Sequence, residues 1–231
     1  MNTSFADIEK KENRKDLIIS ICVFLSGFSC FAQLYYFQPL LPDLAKDFIL
    51  SASESSFAIS FSTLGMVFGL FTTMFVADRI PRKKMIGTGL LSSSIFSVAA
   101  SFSPTFLPLI LLSAAKGFLL SGATSVSMAY IAEEVSSRNK GKIMGLYIAG
   151  NALGGMAGRV ISSWIGALYT WRIASVSIGL ICALFAILFL LFSPRSTNFM
   201  PRKESFHTLI IANLQLITSK ALIPFYLTGG L

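Results

Sequence analysis

The sequence predicts an all-α integral membrane protein, and three observations carry that prediction. Its 231 residues are 54% apolar and only 13% charged, with a mean hydropathy of +0.70, where a soluble domain carries about 25% charge. Its charges are also missing from stretches long enough to cross a membrane, which takes about 20 apolar residues for roughly 30 Å of hydrocarbon. Finally, its Lys and Arg residues gather in alternate connections, as the positive-inside rule requires.

The elements follow in chain order. Residues 1–16 mix acids with bases and precede an apolar run too long for a signal core, so they read as a cytosolic tail and not as a cleavable signal. Residues 17–193 read as a block of six transmembrane helices: 17–42, 55–77, 85 to about 100, 105–132, 143–169 and 173–193. The break between the third and fourth falls at Ser101–Pro104, where Ser and Pro favour a turn. Residues 194–219 form a polar, proline-containing cytosolic linker. Within it Phe206, Leu209, Ile210, Leu214 and Ile217 recur at helical spacing, predicting an amphipathic helix on the membrane surface. Residues 220–231 begin a seventh transmembrane helix that is cut short.

With the N-terminus inside, Lys10, Lys11, Arg14, Lys15, Arg79, Arg82, Lys83, Lys84, Arg138, Lys140, Lys142, Arg195, Arg202, Lys203 and Lys220 all fall in the cytosol. Only Lys46 and Arg172 fall outside, and Lys116 and Arg159 lie within spans. This accounts for the net charge of +8 through topology, and no nucleic-acid partner is needed. Cys22, Cys30 and Cys182 sit within spans, where thiols pack as small apolar groups. His207 has no Cys or acidic cluster around it, so no metal site is expected. The sequence offers no nucleophile with a partnered base, no P-loop and no paired carboxylates, so neither an enzyme nor a cofactor is expected.

Three groups of residues stand out. In the short loop "ADRIPRKKM", Asp78, Arg79, Arg82 and Lys83 either clamp helix ends or simply fix topology. In the fifth span, Gly150, Gly154, Gly158, Ser162 and Gly166 repeat every four residues and line one helix face for close packing. Lys116 and Arg159 each lie about ten residues from the outer end of their span, so both sit about 15 Å deep. A charge at that depth costs at least about 2.5 kcal/mol and should face a water-filled cavity or a partner. With Gln33, Tyr36 and Asn151 they make a candidate wall of a substrate pathway.

These motifs resemble the major facilitator superfamily of transporters, whose loop signature is G-x-x-x-D-R-x-G-R-[RK]. Asp78, Arg79, Arg82 and Lys83 match it, while Met74 and Pro81 stand where the family has glycines. The family's R-x-x-Q-G in span four is matched by "SAAKG", with Ser113 at the Arg position and Lys116 at the Gln position. Its antiporter motif G-x-x-x-G-P-x-x-G-G is matched at Gly150, Gly154 and Gly158, with Gly155 for the proline and Arg159 for the last glycine. Together with "WRIA" at 171–174 the run is most similar to the acriflavine-sensitivity (YnfM-like) branch of bacterial efflux proteins. The resemblance implies the N-terminal half of a secondary transporter in the bacterial inner membrane, exporting drugs or small organic molecules by alternating access and inactive alone. It implies a small-molecule substrate and a C-terminal half as partners, with the glycine face of span five packed against that second half. The alternatives are a facilitator for sugars or small metabolites, or a non-transporting half-transporter subunit or remnant.

Overall fold

The computed structural model describes residues 5–199; the predicted surface helix at 206–217 and the seventh span at 220–231 lie outside them. Among the described residues there are eight α-helices and two 3₁₀ turns, with no strand. They are α1 (Phe5–Tyr35), α2 (Leu41–Asp47), α3 (Ala52–Ser55), α4 (Phe57–Val76), α5 (Arg82–Ser101), α6 (Phe106–Glu134), α7 (Lys140–Leu168) and α8 (Trp171–Phe192).

Six of these helices are long. Four stretches, Glu12–Asp47, Ala52–Arg79, Phe106–Glu134 and Trp171–Phe192, are long and apolar enough to cross a membrane, against the six spans expected from the sequence. The remaining long helices are diluted. Helix α5 opens on Arg82, Lys83 and Lys84 and carries a serine-rich face, and α7 carries Lys140, Lys142, Asn151 and Arg159 among its glycines.

Two boundaries differ from the sequence reading. Helix α1 starts by Phe5, so the predicted tail is helical from there and continuous with the first span. It also ends at Tyr35, short of 42. The cause is local: Pro39 and Pro42 cannot continue a helix, and the chain turns through a 3₁₀ segment, Gln38–Leu40, into the short α2. The expected break near 101–104 is present, since α5 stops at Ser101 and α6 begins at Phe106.

The bundle is organised around α1, which touches each of the other five long helices. Helix α7 lies along one side of it and α8 along another; α5 bridges α8 to α6, and α6 carries α4. Close approach is achieved with small residues. A Cβ at Gly65 or Gly117 would collide with backbone across the α4–α6 contact, at Ala114 and Ser62 respectively. Apolar packing falls into two clusters. One, around Ile19, Leu90, Tyr130 and Phe189, fills the end where α1 begins; the other, around Phe37, Leu44, Leu109 and Trp171, fills the end where α1 stops.

Candidate functional site

The aromatic run Tyr35–Tyr36–Phe37 at the end of α1 organises two cations, Lys116 of α6 and Arg159 of α7. Lys116 Nζ from α6 lies 4.5 Å from the Tyr36 ring centroid and 4.8 Å from that of Phe37. Arg159 from α7 lies on the other side, 4.6 Å over the Tyr35 ring, with Nε donating to Gln38 Oε1 at 2.5 Å. Successive residues at the helix end point in different directions, so one aromatic run serves two cations. Cation–π contact of this kind contributes about 2 kcal/mol when desolvated.

The two cations differ in exposure. Arg159 is half-buried and reaches the surface, whereas Lys116 is only 1% exposed and its Nζ has no hydrogen-bond partner. The reason is the two rings: Tyr36 and Phe37 close over the ammonium and seal it inside the bundle. Gln33 and Tyr36 are equally enclosed. They belong to a hydrogen-bonded chain that links α1, α5 and α8. Ser97 Oγ on α5 donates to Gln33 Oε1 at 3.2 Å, Ser175 Oγ on α8 donates to the Ser97 carbonyl at 2.9 Å, and the Tyr36 hydroxyl lies 2.9 Å from Ser175 Oγ. Three further polar atoms, Gln33 Nε2, Ser29 Oγ and Ser113 Oγ, are buried without partners. Asn151 is apart from this chain. It is half-buried on α7, its Oδ1 pressed against Gly27 of α1.

The glycine face of α7 is occupied from within the chain, which corrects the reading that it awaits a second half. A Cβ at Gly150 would stand 2.6 Å from the Phe24 carbonyl oxygen, and one at Gly158 would stand 2.7 Å from Ala32 Cα. Gly154 faces the Phe28 carbonyl even more closely. Ser162 extends the seam, donating to the Tyr36 carbonyl at 2.8 Å. The face of α7 left open is the opposite one, where Leu153, Met156, Val160 and Trp164 recur at helical spacing and are exposed.

At the other end of the bundle the loop charges form a clamp. Arg82 is buried and donates through Nη2 to Asp78 Oδ1 at 2.9 Å, through Nε to Glu133 Oε1 at 3.1 Å and through Nη1 to the Ala77 carbonyl at 2.6 Å. Burial alone would lower its pKa, but the hydrogen bonds to Asp78 and Glu133 more than offset that and hold it above the ordinary value. Lys83 Nζ donates to the Ser193 carbonyl, and its backbone N–H donates to Ser196 Oγ at 3.0 Å. Arg79 is exposed. Pro81 caps α5 with φ −53° and ψ 130°, so the loop turns without the positive-φ glycine of the family signature. Sequence reasoning missed the neighbouring carboxylate hub. Glu134 accepts from Lys15 Nζ at 2.8 Å, Thr197 Oγ1 at 2.9 Å and the Asn198 N–H at 2.8 Å, and Asp16 accepts from Ser136 and Asn139. It also missed Tyr35, Phe37 and Gln38, although three consecutive aromatics before Gln-Pro mark a helix end with a ring on several sides.

Comparison with known proteins agrees with this architecture. Residues 20–231 match the family model described as Major Facilitator Superfamily. An uncharacterized transporter of Buchnera aphidicola subsp. Schizaphis graminum is 38% identical over 87% of this chain and 48% of its own length. The inner membrane transport protein YnfM of Escherichia coli is 36% identical over 84% of this chain and 46% of its own. The uncharacterized MFS-type transporter YybF of Bacillus subtilis is 31% identical over 92% and 53%. Among solved structures, the proton:xylose symporter XylE superposes with a TM-score of 0.73 at 16% identity, over 91% of this chain and 51% of that one. The chain thus spans about half the length of the curated relatives it matches.

Proposed function

Because the chain belongs to the Major Facilitator Superfamily, we propose that it is the N-terminal half of a secondary transporter that exports small organic molecules by alternating access, and that it does not transport alone. The observation that carries this reading is the combination of a family match over residues 20–231 with coverage of about half of each relative. Transporters of this kind bind substrate near the midplane between two repeats that rock against each other. One half supplies one wall of that site.

In this reading all six long helices cross the inner membrane, with the N-terminus cytosolic and the Asp78–Lys83 loop on the cytosolic face. Arg159, held by Gln38 and Tyr35, is the part of the wall that meets substrate, with Asn151 two turns deeper on the same helix. Gln33, Tyr36 and Lys116 stiffen the wall from behind. A half-exposed guanidinium at membrane depth favours an anionic or hydrogen-bond-accepting group on the substrate or the second half. The clamp around Arg82 holds the ends of α4, α5 and α6 together while the half moves as one body.

The test is export. The 231-residue chain is expressed in a strain lacking its full-length relatives, alone and together with the C-terminal half of a relative, and dye accumulation is measured. Export only in the paired strain is expected, with Arg159→Gln in this chain reducing it at least tenfold. Export by the chain alone would overturn the reading of an incomplete transporter.

A further inference from the structure

A pocket of about 310 Å³ lies where α5 begins and α8 ends, lined by Pro81, Lys83, Lys84, Leu190, Arg195 and Ser196. Three of the six residues are cationic and none is acidic. Among the described residues neither Lys84 nor Arg195 has an ion-pair partner, and both are exposed. Lys83 is anchored at the floor by the Ser193 carbonyl, and burial lowers its ammonium pKa, with Arg195 adding to that. Like charges gathered this closely call for an anion. This arrangement differs from the Arg82 clamp one residue away, where Asp78 and Glu133 already supply the negative charge.

The apolar surroundings say what carries that anion. Below the pocket, Leu180, Leu184, Ile187 and Leu191 recur along α8 at spacings of three and four, and all four are exposed, Leu191 by 70%. Phe192 is exposed beside them. A basic pocket at a helix end, continuous with an apolar stripe one helix long, matches a molecule with a phosphate head and hydrocarbon tails. Basic pockets between membrane helices on the cytoplasmic side bind anionic lipid headgroups in this way.

The geometry points to a binding site for one anionic phospholipid, with its phosphate on Lys83, Lys84 and Arg195 and its acyl chains along Leu180–Leu191 of α8. The site is separate from the substrate wall on α1 and α7. It rests on reading α5 and α8 as membrane helices with their basic ends in the cytosolic headgroup layer. Since Ser196 and Arg195 belong to the segment following α8, the lipid would fix where the chain leaves the sixth helix.

The test is native mass spectrometry of the detergent-solubilised 231-residue chain, titrated with phosphatidylglycerol or phosphatidylcholine. Phosphatidylglycerol should bind more tightly. Each basic residue near an anionic headgroup contributes about fivefold, so Lys84→Gln with Arg195→Gln should weaken binding about 25-fold and Lys84→Gln alone about fivefold. Lys140→Gln with Lys142→Gln, which removes charge from the start of α7, should change it less than about twofold. Inorganic phosphate in millimolar excess should not displace the lipid. Equal binding of the two lipids, an equal loss in the α7 variant, or displacement by phosphate would each overturn the proposal, the last by showing a free-anion site. Sidedness is checked separately by thiol labelling of Lys84→Cys in intact cells: labelling from outside refutes the topology but leaves the lipid measurement standing.

Discussion

At the scale of single residues, Lys116 shows how burial and charge trade against each other. Its ammonium is sealed under Tyr36 and Phe37 without a hydrogen-bond acceptor. The two rings return about 2 kcal/mol each at most, while desolvating an ion costs several kcal/mol. Replacing even a buried ion pair by apolar residues of similar volume is often neutral or stabilising by about 1–4 kcal/mol, and the Lys116 ammonium lacks a hydrogen-bond partner to lose. Lys116→Met is therefore expected to hold or raise the thermal midpoint in detergent, whereas Tyr36→Phe, which removes only the hydroxyl facing Ser175, should cost about 1 kcal/mol. A clear loss of stability in Lys116→Met would mean that the ammonium has a partner in the folded bundle. That Lys116 and Arg159 lie well inside their helices was legible from counting residues. Their surroundings were not, because rotation about a helix axis is set by which neighbours it packs against. Gln38 and Tyr35, which meet Arg159, are 121 and 124 positions away in the chain.

At the scale of elements, the same device brings helices together twice, and only one instance was visible beforehand. On α7 the glycines keep an unbroken four-residue period, so the stripe could be read directly from the sequence. On α4 and α6 the contact is made by Gly65 and Gly69 on one helix and Gly117 and Ser121 on the other, a pattern the sequence reading did not single out. What the period could not reveal was the partner: the α7 face lies on α1. Gly154→Val should therefore disrupt this chain by itself. Its Cβ would meet the Phe28 carbonyl, and overpacking of this kind costs about 1–3 kcal/mol. Gly145→Val is the control, since nothing lies within 4 Å of a Cβ there. Equal thermal midpoints for the two variants would show that α1 does not lie on the glycine face. The turn after α2 gives a change of the opposite sign. Ile49 has φ 54° and is almost fully exposed, so a branched side chain holds the left-handed conformation without compensating burial. That conformation costs about 1–2 kcal/mol for an L-residue, and glycine adopts it freely. Ile49→Gly should raise the thermal midpoint by a few degrees; a fall would show that the turn relaxes in the membrane.

At the scale of the whole molecule, the closed and open faces define where a second half can dock. The glycine seam between α7 and α1 is filled, so it offers no docking surface. Besides the α8 stripe, open apolar residues line α7, at Leu153, Met156, Val160 and Trp164, and α4, at Leu64, Phe68 and Phe71. Helices α4 and α7 pack mainly on different neighbours, α6 and α1 respectively, so under the proposed function a second half that covers both must reach across the bundle. The two tryptophans of the chain allow this to be measured, because Trp171 is buried and donates Nε1–H to Asp47 at 2.9 Å, while Trp164 is 67% exposed. In a Trp171→Phe background, which gives up that one hydrogen bond, Trp164 is the sole tryptophan reporter. Reconstituted alone, the chain should present Trp164 to the bilayer, and brominated phospholipids should quench its emission strongly. Addition of a relative's C-terminal half should protect it, in proportion to the complex formed. Quenching that stays unchanged while the halves co-purify would show that the second half docks elsewhere, and would leave the α7 stripe as a lipid-facing surface. Protection that also requires Arg159, lost in Arg159→Gln, would place the guanidinium at the seam between the halves.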